Sequence, residues 1–262
     1  MNRNLRGGAY LAGLWRQMLL EGLLWHLEPR RDHLRPRPAW RAPSWSWAAV
    51  DAPRGITYVH PGTSVFAPAF QGRILEARTV PAGPDAHGAV VSGFIRMEAA
   101  LGEAYLRYPC QRCHRGAGAG GWLRRTALFT RNGSNAADTC GLRAGALELP
   151  PDVTISVYFD CLFWPGFEAG GRAFDPGDGS TGGCNFVKVF LLYINRFTSA
   201  RVRDGLRQAF FLVLRELVPG SERYERVGLA VAVFETTQEE VEAWFDSSWS
   251  THLGEEKVIT LE

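Results

Sequence analysis

Lysine is almost missing from this chain, which carries only Lys188 and Lys257 among its 29 basic residues and is otherwise basic through arginine. No apolar run approaches the roughly 18 residues of a membrane-crossing helix, so no membrane partner is expected. The G-x-G-x-x-G fingerprint is absent, which argues against a dinucleotide-binding fold. The stretch GDGSTGGC at 177–184 is glycine-rich, yet Lys188 lies beyond it in an apolar run, whereas a phosphate loop needs lysine directly before Ser or Thr at a helix start. It also lacks the strand-to-helix setting of a nucleophile elbow and reads as a hairpin connection. The histidines at 26, 33, 60, 87, 114 and 252 have no close helical spacing of the metalloprotease kind. Glu239-Glu240 and Glu255-Glu256 read as solvated faces; acid–base work needs groups that converge in a pocket, which spacing does not reveal, so a hydrolase built from distant residues stays open.

Cysteine is scarce and odd in number: Cys110, Cys113, Cys140, Cys161 and Cys184. With no secretory signal ahead of them, reduced thiols and a cytoplasmic location are expected. The opening MNRNLRGGAYLAGLWR has the arginines and lacks the acids of a mitochondrial presequence, but it reads equally as a structural helix. Cys110-Gln111-Arg112-Cys113-His114 spells half a zinc site. A closed site needs four ligands, and Cys140 is the nearest further candidate, so Cys110, Cys113, His114 and Cys140 form a weak set and no metal or cofactor is expected. Charge is asymmetric: residues 1–150 carry 19 Arg against 10 acids, and residues 151–262 carry 10 basic against 17 acidic residues. The arginines are scattered among aliphatics without exposed aromatics beside them, so no nucleic-acid partner is expected.

What the chain does contain is period-two patterning. Runs at 55–59, 73–80, 89–99, 153–159, 186–194, 208–217, 224–235 and 256–261, separated by Gly, Pro, Asn and Asp, predict antiparallel strands. Ser44, Ser46 and Ala48 alternating with Trp45, Trp47 and Ala49 predict one more. The three-and-four spacing of Leu11, Leu14, Trp15, Met18, Leu19, Leu23 and Leu24 predicts an amphipathic helix from Tyr10 to Leu27, ended by Pro29. A Pro/Arg linker follows at 30–38. A short helix over Gln238–Phe245, capped by Thr and led by acids, is expected before the last strand. Long loops are expected at about 109–146 and 165–184. The expected fold is therefore mainly β: an antiparallel barrel or sandwich-like sheet over 39–262, with residues 1–38 packed on it as helix and linker. Trp15, Trp45 and Trp47 belong to a tryptophan-rich start, with Trp45 and Trp47 on one strand face against the helix, as core or as a partner platform.

Three segments carry a likeness. AYLAGLWRQMLLEGLLWHLEP (9–29), then RAPSWSWAAVDAP (41–53), and at the end ERYERVGLAVAVF (222–234) with EKVITLE (256–262) resemble, in order, the region downstream of the heterokaryon-incompatibility (HET) domain in filamentous fungi. RILEARTV (73–80) and HGAVVSGFIRMEAAL (87–101) fall in the same order, and APSWSWA is the most specific block. The tyrosine, serine and tryptophan-glycine motifs of the HET domain itself are absent, so that module's cell-death activity maps onto no residue here. The resemblance implies a non-catalytic accessory or regulatory role in non-self recognition, with protein partners such as a HET-domain region or other incompatibility factors. A small-ligand-binding β-barrel and an enzyme of unknown class are the alternatives.

Overall fold

Ala209-Phe-Phe-Leu-Val-Leu214 is a run of six apolar residues, each at most 2% exposed, so the strand that contains it is covered on both faces. The computed structural model describes residues 9–27, 37–58, 71–108, 128–129, 153–160, 185–198, 207–234, 239–240, 243 and 255–262. Its strands are β1 (Tyr10–Leu11), β2 (Leu14–Trp15), β3 (Trp25–Leu27), β4 (Ile56–Tyr58), β5 (Arg73–Pro81), β6 (Val90–Ala99), β7 (Leu101–Tyr108), β8 (Leu128–Phe129), β9 (Val153–Phe159), β10 (Asn185–Thr198), β11 (Arg207–Glu216), β12 (Arg223–Phe234) and β13 (Lys257–Leu261). The protein is mainly β, as the patterning predicts. Strands β5-β6-β13-β12-β11-β10-β7-β8 form one sheet in that order, and β9 is added on β12. All pairs are antiparallel except β12–β13. The sheet curls enough for the Gln71 amide, just before β5, to reach the Ile194 carbonyl of β10 at 3.0 Å, but the order of the described strands closes no barrel.

β12 is the pivot of this sheet. One of its edges pairs with β11 throughout, while the other is divided: Arg223 and Tyr224 pair with β13, and Gly228 to Phe234 pair with β9. Between these partners the register against β11 steps from Gly228 to Arg226, leaving Val227 as the extra residue of a β-bulge. Gly228 is required just past the bulge, because a Cβ there would lie 2.5 Å from the Tyr158 carbonyl oxygen.

The two faces carry separate cores. The first gathers Ile95, Met97, Leu192, Phe210, Leu212, Leu229 and Ile259 beneath Leu11, Leu14, Leu19, Leu23, Leu24 and Trp45. The second gathers Leu191, Phe211, Val213, Ala230 and Phe234 beneath Trp25, Leu27 and Val50, flanked by Ile56 and Tyr58. Burial of each such large side chain stabilises by about 1.5–3 kcal/mol. Residues 9–27 and 42–58 thus cover both faces of one sheet.

Several expectations are corrected. The helix expected over Tyr10–Leu27 is confined to α1 (Leu19–Gly22); ahead of it β1 and β2 form a hairpin and Arg16–Met18 a 3-10 turn. Ala12 (φ 45°) and Gly13 (φ 98°) both take left-handed backbone, the mark of a two-residue hairpin turn, and glycine tolerates it at no steric cost. The helical spacing of leucines is therefore satisfied by a bent segment in which the same residues face the core. The strand expected over 44–49 is a turn leading into a 3-10 turn at Trp47–Ala49, because the Ser46 side chain accepts from the Ala48 amide at 3.0 Å and competes with any ladder. β7 was not expected as a strand, and β8 lies inside the expected 109–146 loop; the rest of that loop, and 165–184, lie outside the described residues. Of the helix expected at 238–245, Glu239, Glu240 and Ala243 are helical and the remainder lies outside the described residues.

Candidate functional site

Where β12 changes partner, its edge should carry an unpaired amide and carbonyl at Arg226. Both are satisfied from elsewhere: the Arg226 amide donates to Ser44 Oγ at 2.9 Å, and Arg37 Nη2 donates to the Arg226 carbonyl at 2.7 Å. Ser44 and Arg37 stand in for the missing strand. The Ser44 amide in turn donates to the Glu262 carbonyl at 2.9 Å, and the Ser44 hydroxyl donates to the same oxygen, which ties the segment to the end of β13.

The Arg226 side chain fills the gap itself. It is wholly buried with Asp160, to which Nε donates at 2.9 Å and Nη2 at 3.3 Å. Nη1 donates to the Leu23 carbonyl at 2.6 Å, Nη2 also donates to the Trp25 carbonyl, and the guanidinium stacks 3.7 Å from the centroid of Trp25. Leu23 and Leu24 belong to the first core and Trp25 to the second. The chain changes faces beside Arg226, and the carbonyls exposed by that crossing are those the guanidinium serves. Asp160 follows β9, and its amide bonds the Val227 carbonyl at 3.0 Å, so the acid is placed by the ladder that ends there. Burial pushes the Asp160 carboxyl above its ordinary value, opposed by Arg226 and then Arg37; burial likewise pulls Arg226 down, opposed by Asp160. Such a pair, fully hydrogen-bonded, fixes geometry; removal of one partner leaves a buried charge uncompensated.

The tryptophans at the start of the chain are placed in distinct ways. Trp45 is fully buried in the first core, and its carbonyl accepts from Trp25 Nε1 at 3.0 Å. Trp47 is half-buried; it donates from Nε1 to the Gly13 carbonyl at 3.1 Å, and its indole occupies the space a Cβ on Gly13 would need. Ser46 Oγ donates to the Ala12 carbonyl, so the Ser-Trp-Ser-Trp block grips the β1–β2 turn. Trp15 is half-buried and meets Tyr10 edge-to-face at 5.4 Å, with His87 against both rings. Cys110, Cys113, His114 and Cys140 lie outside the described residues; among the described residues no group of three His, Cys, Asp or Glu is placed to hold a metal ion. Among the described residues no helix is long and apolar enough to cross a membrane.

Arg226 and Asp160, the centre of the junction, were not singled out from the sequence. Their only signal is a charged residue inside an otherwise apolar strand, RVGLAVAVF after ERYE, and an acid ending TISVYFD. No family model, curated protein or solved structure matches this chain.

Proposed function

We propose that this chain is a non-catalytic regulatory or interaction region of a fungal heterokaryon-incompatibility protein, acting in the cytoplasm through a protein partner. The reading rests on the resemblance of 9–29, 41–53, 222–234 and 256–262. One observation supports treating those segments as a unit: they meet at a single junction, through Ser44 on Arg226 and Glu262, Arg226 on Leu23 and Trp25, and Ser46 and Trp47 on the Ala12-Gly13 turn. The hydroxyls and indoles of the most specific block are engaged in internal architecture, as a scaffold would use them. Expression of residues 1–262 in a filamentous fungus is expected to leave viability unchanged, while fusion behind an intact HET domain alters that domain's toxicity. Growth arrest by the chain alone, abolished by surface substitutions that leave it folded, would replace this reading with an enzymatic one.

A further inference from the structure

Among the described strands β5 ends the order of the sheet, and its outer edge suits an occupant. Ala77 lies opposite Ile95, and its carbonyl accepts from Arg16 Nη1 at 2.9 Å. Past the β-bulge that leaves Leu75 without a partner on β6, the alternation of an antiparallel ladder directs the amide and carbonyl groups of Ala77 and Thr79 away from β6. Pro81, which has no amide to offer, closes the strand, as proline does at a sheet edge. An exposed arginine reaching across from the 3-10 turn after β2 thus rests on the edge carbonyl at the centre of this strand, a contact of the kind that restrains edge-to-edge pairing.

The side chains flanking Ala77 have opposite charge. Glu76 and Arg78 share the outer face of β5, where their side chains are 41% and 70% exposed and form a loose ion pair at 3.6 Å. In an antiparallel pairing of two β5 strands about a two-fold axis at Ala77, Glu76 of each copy stands opposite Arg78 of the other, and Ala77 pairs with itself. The edge is therefore self-complementary in charge as well as in hydrogen-bond direction, which is the requirement of an isologous interface. We propose that the occupant of the β5 edge is a second copy of this chain, paired antiparallel about Ala77 through Glu76–Arg78, and that Arg16 sets how readily the edge opens. This reading is independent of the fungal one.

Sedimentation equilibrium across a concentration series tests it, with far-ultraviolet circular dichroism as the check on folding. The wild type is expected to self-associate reversibly, and Arg16→Ala to associate several-fold more tightly. Glu76→Arg alone and Arg78→Glu alone place like charges opposite one another at both pairs and are each expected to be monomeric. An equimolar mixture of those two variants restores both attractive pairs, so it is expected to associate as a heterodimer. A wild type and an Arg16→Ala variant that both remain monomeric would overturn the proposal. So would a mixture of the two charge variants that fails to associate, or self-association unaffected by either charge reversal.

Discussion

The two ends of the long sheet solve different problems. In β10, β11 and β12 both faces are covered, and the sequences VFLLYI, AFFLVL and GLAVAVF are apolar almost without interruption. In β5 and β6 only one face is covered: Ala77, Ile95, Met97 and Ala99 point into the first core, while Arg78, Arg96 and Glu98 alternate with them towards solvent. Antiparallel sheets ordinarily resemble the second pattern. The first arises because residues 9–27 and 42–58 wrap both faces, and a segment that wraps must pass from one face to the other. That passage exposes backbone carbonyls in an apolar setting, and the buried Arg226–Asp160 pair is the means of satisfying them. A continuous hydrophobic strand interrupted by one arginine is thus the local trace of a tertiary crossing.

If the crossing is held in this way, the largest effect belongs to its charge pair. Asp160→Asn leaves the buried guanidinium without a counter-charge, and a loss of about 3–5 kcal/mol is expected in urea unfolding. Leu212→Ala, in the strand covered on both faces, is expected to cost about 2–5 kcal/mol, and Arg96→Gln, on the solvent face of β6, less than about 0.5 kcal/mol. Equal costs would erase the distinction between the regions.

Tyr224 lies where the two regions join, since it pairs with Leu261 of β13 and packs edge-to-face on Phe190 at 5.2 Å. Burial, then the charges of Glu216 and Glu222, push its phenol up to about 12 from an ordinary value of 10.0. The folded state therefore holds that proton longer than the unfolded chain does. This stabilisation is complete below pH 10 and is lost as the pH rises towards 12, by about 2 kcal/mol. In Tyr224→Phe that part of the alkaline stability profile should be flat. A smaller effect is expected at the turn gripped by the tryptophan block. Gly13→Ala forces a side chain into left-handed backbone and to 2.7 Å from the Trp47 indole, so a loss of about 1–2 kcal/mol is expected, with a change in tryptophan fluorescence.

Strand alternation made much of the sheet readable in advance, because it depends on local periodicity: β5, β6, β9, β10, β11, β12 and β13 all coincide with predicted runs within a residue or a few. At the start of the chain the structure departs from the helical spacing for a physical reason. Leu11, Leu14, Leu19 and Leu23 fit a helical face, yet a hairpin, a 3-10 turn and one helical turn place the same leucines on the same core. Hydrophobic spacing reports which residues are buried more directly than how the backbone bends between them. Gly13 carried the missing information, since glycine after Ala12 permits the turn that Trp47 then locks from 34 residues away. The junction itself was illegible for a different reason. Arg226, Asp160, Ser44 and Leu23 become neighbours only through the split pairing of β12, and no local pattern encodes a change of partner strand.

The buried role of Arg226 is to serve the carbonyls of the crossing, with Asp160 as its counter-ion. The double variant Asp160→Leu/Arg226→Met isolates it, because exchanging a buried ion pair for apolar residues of similar size is often neutral or stabilising when the pair serves only itself. Here the exchange also strips donors from the Leu23 and Trp25 carbonyls, at about 1–3 kcal/mol each. Equilibrium unfolding of the double variant is expected to show a deficit of at least about 2 kcal/mol relative to wild type, with amide exchange accelerated in residues 23–27. Wild-type stability and unchanged exchange in that segment would contradict the claim.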